Sequence, residues 1–170
     1  MASKFPWIVF AGLLILLMLG ACNTASTPAP DAAGGATAQS AIDQYTGEIA
    51  AIDSPDDVLA APVRVTGTTQ AYALTGGNPP CPGYVNTIPS YVFDVTADLG
   101  KLTIALDGSG EATLATLTPT GEILCGDAAA SGLKPAQAIT APAQGRYGVW
   151  VGRIALAEDL AGELEVQAAP

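Results

Sequence analysis

The second half of the chain alternates apolar and polar positions with a period of two. Tyr91, Phe93 and Val95 fall on one side of an extended segment, with Val92, Asp94 and Thr96 on the other. Leu102, Ile104 and Leu106 repeat the pattern after a Leu99-Gly100 turn. Tyr147, Val149 and Val151 alternate with Gly148, Trp150 and Gly152, and Leu164 and Val166 with Glu163, Glu165 and Gln167. In a strand, successive side chains point to opposite faces, so each segment predicts a strand with one core-facing side. Turn-forming residues separate them: Asp107-Gly108-Ser109-Gly110, Pro119-Thr120-Gly121 and Gln144-Gly145. Short strands at roughly 8–12 residue spacing point to an all-β antiparallel sandwich or barrel. Glu48 to Ile52 and Val63 to Leu74 supply further strand candidates, with an exposed turn over Asp53–Asp57. The only helical candidate is one turn over Ala157 to Leu160.

The first residues read differently. Lys4 precedes an unbroken apolar or glycine run from Trp7 to Leu19. Those 13 residues match an export-signal core and are too few for a membrane-spanning helix, which needs about 20. Leu19-Gly20-Ala21-Cys22 then resembles the bacterial lipobox. The resemblance implies diacylglycerol on the Cys22 thiol and cleavage between Ala21 and Cys22. Two acyl chains hold a protein on a bilayer where one does not. Asn23 to Ala41 is rich in small and turn-forming residues, with one charge and no aromatic. Such a segment buries too little to fold and is expected to be a flexible tether spanning roughly 25 Å. The expected organisation is therefore a signal peptide at 1–21, a lipidated Cys and disordered tether at 22–41, and a sandwich domain at 42–170, facing the exterior of the cell membrane or the outer membrane.

Composition narrows the function. The formal net charge is −10 with six basic residues, and removing Lys4 with the signal makes it −11. A surface of that sign repels phosphate backbones, which excludes nucleic acid as a partner. The chain has no His, which removes Ser-His-Asp triads, Cys-His nucleophile pairs and His-ligated metals together. Lipidation of Cys22 would leave Cys81 and Cys125 as a pair, joined in an oxidising compartment or else two buried thiols.

The remaining candidate chemistry is carboxylate. Asp53, Asp56 and Asp57, or Asp107 and Glu111, could offer oxygen ligands to Ca²⁺, although their spacing matches no established calcium loop and solvated turns explain both groups. No other cofactor is implied. Trp150, the one Trp after the signal, could present a stacking surface or fill the core.

An ordered set of pieces runs through the second half: Cys81-Pro82-Gly83-Tyr84-Val85, Pro89-Ser90-Tyr91-Val92-Phe93, Ala112-Thr113-Leu114, Thr118 to Cys125, Lys134-Pro135 and Gly145 to Gly152. Together they resemble the pre-peptidase C-terminal (PPC-like) domain, over about residues 65–168. The resemblance implies a jelly-roll-like sandwich without catalytic residues, serving export, localisation or substrate contact. Where relatives carry an Asp before the T-L strand and an acidic run after the second Cys, this chain has Glu111-Ala112 and Gly126-Asp127-Ala128-Ala129, which weakens any cation site there. The reading is thus a non-catalytic interaction module with an extracytoplasmic protein or peptide partner. Its rivals are an accessory subunit of a secreted peptidase and a hydrolase working with carboxylates alone.

Overall fold

The computed structural model describes residues 38–66, 81–108, 111–127, 134–154 and 159–170. Ten strands lie among them: β1 (Ala50–Ile52), β2 (Val58–Val65), β3 (Tyr84–Val85), β4 (Tyr91–Val95), β5 (Lys101–Gly108), β6 (Ala112–Leu117), β7 (Ile123–Asp127), β8 (Ala136–Thr140), β9 (Gly145–Arg153) and β10 (Leu160–Ala169). They form a larger sheet, β1-β4-β9-β6-β7 with β3 also on β9, and a smaller sheet, β2-β10-β5-β8. Setting β1 and β3 aside, the first strand pairs with the last (β2 with β10) and the second with the next to last (β4 with β9). The third pairs with the sixth (β5 with β8), and the fourth with the fifth (β6 with β7). All four pairings are antiparallel, and this nesting is the jelly roll.

The alternating positions face as the sequence implies. Phe93, Val95, Leu102, Ile104, Leu106, Tyr147, Val149, Val151, Leu164 and Val166 are all buried in one cluster between the sheets. Glu163, Glu165 and Gln167 stay exposed on the far side of β10. Phe93 and Tyr147 are register partners on β4 and β9, and their rings stack 5.2 Å apart. The Tyr147 hydroxyl donates to the Ala143 carbonyl at 2.8 Å, so the one polar atom of this buried ring is satisfied.

Several boundaries differ from expectation. The folded part begins before Ile42: residues 38–43 form a short helix, α1, with Ala38, Ala41 and Ile42 buried. Local composition hid this, because two small alanines and one Ile make a weak apolar stripe that only the sheet beneath completes. β1 is shorter than the Glu48–Ile52 segment and runs parallel to β4. The strand candidate at 63–74 overlaps β2 only at its start, since β2 runs from Val58 through Pro62 to Val65, and residues 67–74 lie outside the described residues. Pro62 is tolerated because β2 is an edge strand, where a missing N–H breaks no ladder. Leu160 opens β10, while Ala157 and Glu158 of the expected helical turn lie outside the described residues. Residues 1–37, which hold the expected signal, Ala21, Cys22 and most of the expected tether, lie outside the described residues.

Burial raises the pKa of Tyr147, Tyr45 and Tyr91 above the ordinary tyrosine value, desolvation being the main cause for each. A raised folded value means that the stability these rings contribute is intact below about pH 10 and is lost as pH rises through the folded values. Tyr147→Phe should therefore lose less stability than the parent between about pH 9 and pH 12. Urea melts across that range would check it, and parallel pH curves would count against it.

Candidate functional site

The larger sheet has a second core on its outer face. Val92, Ala115, Leu117, Ile123 and Trp150 point away from the first core and cluster with Ala38, Ala41 and Ile42 of α1 and with Cys81 and Val85. Two covers make this possible. The first is α1, whose Ile42 settles over Gly148: a Cβ at 148 would sit 2.5 Å from Ile42 Cδ1. The second is the segment 81–85. Cys81 is disulfide-bonded to Cys125 on β7, with Cα atoms 5.2 Å apart, while Tyr84 and Val85 pair with Arg153 and Gly152 of β9. The segment thus crosses the sheet over Gly152, where a Cβ would meet the Tyr84 carbonyl oxygen at 2.6 Å and Thr113 Cγ2 at 2.7 Å. The two glycines flanking Val149-Trp150-Val151 are therefore notches under the covers.

Trp150 is 1% exposed beneath these covers. It is a core residue, and the reading of it as a stacking surface is corrected: the face it occupies is not open to a ligand.

The acidic candidates do not converge. Asp57 Oδ2 accepts from the Asp53 and Ser54 backbone N–H groups, both at 2.9 Å, so this carboxylate closes its own turn. Those bonds, that from Asp53 foremost, hold its pKa below the ordinary carboxylate value. Asp56 shares the turn through its own N–H, which donates to Ser54 Oγ at 3.3 Å. Asp107, next to last on β5, pairs with Lys134 at 2.6 Å, both side chains well exposed. Glu111 immediately precedes β6, and its carbonyl accepts from Ile154 N at 3.3 Å. Among the described residues no three His, Cys, Asp or Glu side chains are grouped to hold a metal ion.

The outer face of the smaller sheet is largely open. Register places Ala60, Glu165, Ala105 and Ala136 side by side across its four strands, then Val58, Gln167, Thr103 and Ala138 in the next row. Val58 is 53% exposed, and most of these positions are open. Small side chains make the face flat, and period-two reading marks only its β10 row as wet. At one end Asp107, Glu163 and Glu165, with Pro62 and Gly162, line a shallow depression. Asp107 and Glu163 are register partners, so two carboxylates do stand together. They stand in the open, without the water-excluding cleft that two-acid glycoside hydrolysis requires.

Polar residues that periodicity did not single out hold the sheets in place. Arg146 makes a two-pronged pair with Asp94, Nε to Oδ1 at 2.9 Å and Nη2 to Oδ2 at 3.0 Å, across the β4–β9 register. Gln137 Nε2, on β8, donates to the Leu114 carbonyl at 2.9 Å and the Leu124 carbonyl at 3.0 Å, tying the smaller sheet to the larger. Opposite charges on the outer faces of two strands were the available signal for the first. A lone Gln gave none for the second.

No protein-family model matches the chain, and no curated protein matches it in sequence. Among solved structures it is similar to Aeromonas hydrophila PliG, a periplasmic lysozyme inhibitor of g-type lysozyme, with a TM-score of 0.42 and 15% identity, covering 71% of this chain and 96% of that one. At that level of likeness no site or ligand transfers from one protein to the other.

Proposed function

We propose that this chain is a lipid-anchored extracytoplasmic protein whose jelly roll is a non-catalytic interaction module for a protein or peptide partner. The observation that carries the reading is Leu19-Gly20-Ala21-Cys22, placed directly after Lys4 and the apolar run. Three features support it. The two cysteines left over are joined as a disulfide, as suits an oxidising compartment. The sequence has no His to serve as general base. A flat, largely open sheet face is available for contact.

Cys22→Ser tests the anchor. The parent should fractionate with membranes, and its mature N-terminal peptide should carry the mass of a diacylglycerol on Cys22. The variant should lose both properties. An unmodified thiol at a processed N-terminus in the parent would overturn the reading. For the module, a photo-crosslinking residue at Ala60 should give a discrete protein adduct on intact cells that the same residue at Asp94 does not. Identical adducts from both positions would count against a specific face.

The likeness of residues 65–168 to the PPC-like domain supports a second reading, an accessory subunit of a secreted peptidase. Co-purification of the Ala60 adduct with peptidase activity would favour it over the first.

A further inference from the structure

We propose that β8 is a docking edge: an extended, acidic segment of a protein partner adds beside it as a further strand of the smaller sheet. The proposal rests on the interaction-module reading above and names the element that makes the contact.

β8 ends its sheet, with β5 paired to it on one side only. The bonds Leu106 N to Pro135 O at 3.0 Å and Ala141 N to Gly100 O at 2.8 Å fix the parity of the ladder, so the odd-numbered residues of β8 turn their backbone groups to β5. Ala136, Ala138 and Thr140 turn theirs outward, and all three residues are exposed. The Ala136 carbonyl lies against β7, where a Cβ on Gly126 would sit 2.7 Å from it. The N–H and C=O groups of Ala138 and Thr140 stay open, with no bond to another strand among the described residues. An unpaired row of this kind is a template for a strand from another chain.

The other edges offer less. On β2 the bond Ala168 N to Asp57 O puts Pro62 among the outward positions, so its missing N–H interrupts any added ladder. β7 is strapped at Cys125 by the disulfide, and β1 and β3 are only three and two residues long. Charge then sets the character of the partner. Residues 134–143 hold no carboxylate, in a chain of formal net charge −10. Lys101 stands abreast of Thr140, is exposed, and has no ion pair among the described residues. An added strand would run about 10 Å from β5, two strand spacings, a gap that Lys101 and a partner carboxylate span together. Between them Ala105, Ala136 and Ala138 form a shallow step, and apolar side chains of the added strand fit over it.

Photo-crosslinking on intact cells tests the edge in the full-length protein, with the reactive residue at Ala136. The parent should give a discrete protein adduct. Ala138→Pro deletes one outward N–H and leaves the β5 ladder untouched, as Pro62 does on β2, and it should cut the adduct yield several-fold. Lys101→Glu should cut it several-fold as well, while Arg64→Glu on the β2 edge should leave it unchanged. If Ala138→Pro melts early, the contrast between Lys101→Glu and Arg64→Glu decides alone. Full yield from folded Ala138→Pro protein, or from Lys101→Glu protein, would overturn the docking edge. So would an adduct of twice the chain's own mass, which would make the occupant a second copy, or a crosslinked partner segment without Asp or Glu. An adduct at Ala60 with none at Ala136 would overturn the edge alone. No adduct at either position would overturn the interaction module with it.

Discussion

Trp150→Ala should destabilise the domain by about 3–5 kcal/mol, the range for truncating a large buried aromatic. The side chain is 1% exposed and clusters with Val92, Ala115, Leu117, Ile42 and Cys81, while Tyr45 packs against the same cluster only partly buried. The neighbours cannot collapse into the gap, because the sheet backbone and the disulfide-tied segment hold them apart, so the cavity term adds to the lost transfer energy. Trp150→Phe should cost well under half as much. The Trp150 indole N–H has no hydrogen-bond partner among the described residues, so the ring can be exchanged without orphaning an acceptor. Urea denaturation of the two variants measures both values. A binding residue would behave differently, keeping the parent's midpoint on truncation while losing the partner. That result would return Trp150 to the surface.

Most of the architecture was legible because alternation reports which face a strand buries, and the strands of the second half are long enough to alternate several times. Tyr147-Val149-Val151 against Gly148-Trp150-Gly152 shows the limit of that logic. Periodicity separated the two sides of β9 correctly, but it implied that the second side was wet or open. In fact both sides are covered. The coverage comes from α1 and residues 81–85, two segments too short and too plain to announce themselves. The glycines were the missed signal: an Xaa-Gly on each side of Trp150 reads as weak strand, yet it is what admits Ile42 and the Tyr84 carbonyl. β1 falls inside the Glu48–Ile52 candidate, but its parallel pairing with β4 was not legible, since three residues carry no sign of their partner.

The acidic groups illustrate the opposite error. Asp53, Asp56 and Asp57 look like a ligand set only while their bonds are unknown. One Asp57 oxygen accepting two backbone N–H groups turns the cluster into a self-contained turn between β1 and β2. Asp107 and Glu163, 56 positions apart in the sequence, are neighbours only through the β5–β10 register, a pairing that local reading has no means to supply.

Replacing both Cys81 and Cys125 with Ala should lower stability by about 2–4 kcal/mol and the melting temperature by roughly 8–15 °C. The bond spans a sequence separation of 44 and encloses β3 to β6 with the start of β7. Closing a loop of that length removes denatured-chain entropy worth about 4 kcal/mol, an upper figure because residual structure in the unfolded chain reduces it. The bond also holds residues 81–85 down over Gly152 and Thr113. Its loss loosens one of the two covers above Trp150 while leaving the core between the sheets intact. Trp7 lies in the proposed signal, so Trp150 would be the processed chain's single tryptophan. Its emission should shift to longer wavelength on reduction, at denaturant concentrations well below the global midpoint. A variant that melts within about 1 kcal/mol of the parent, with unshifted emission, would mean that the segment is held by its packing alone and that the disulfide adds little to the fold.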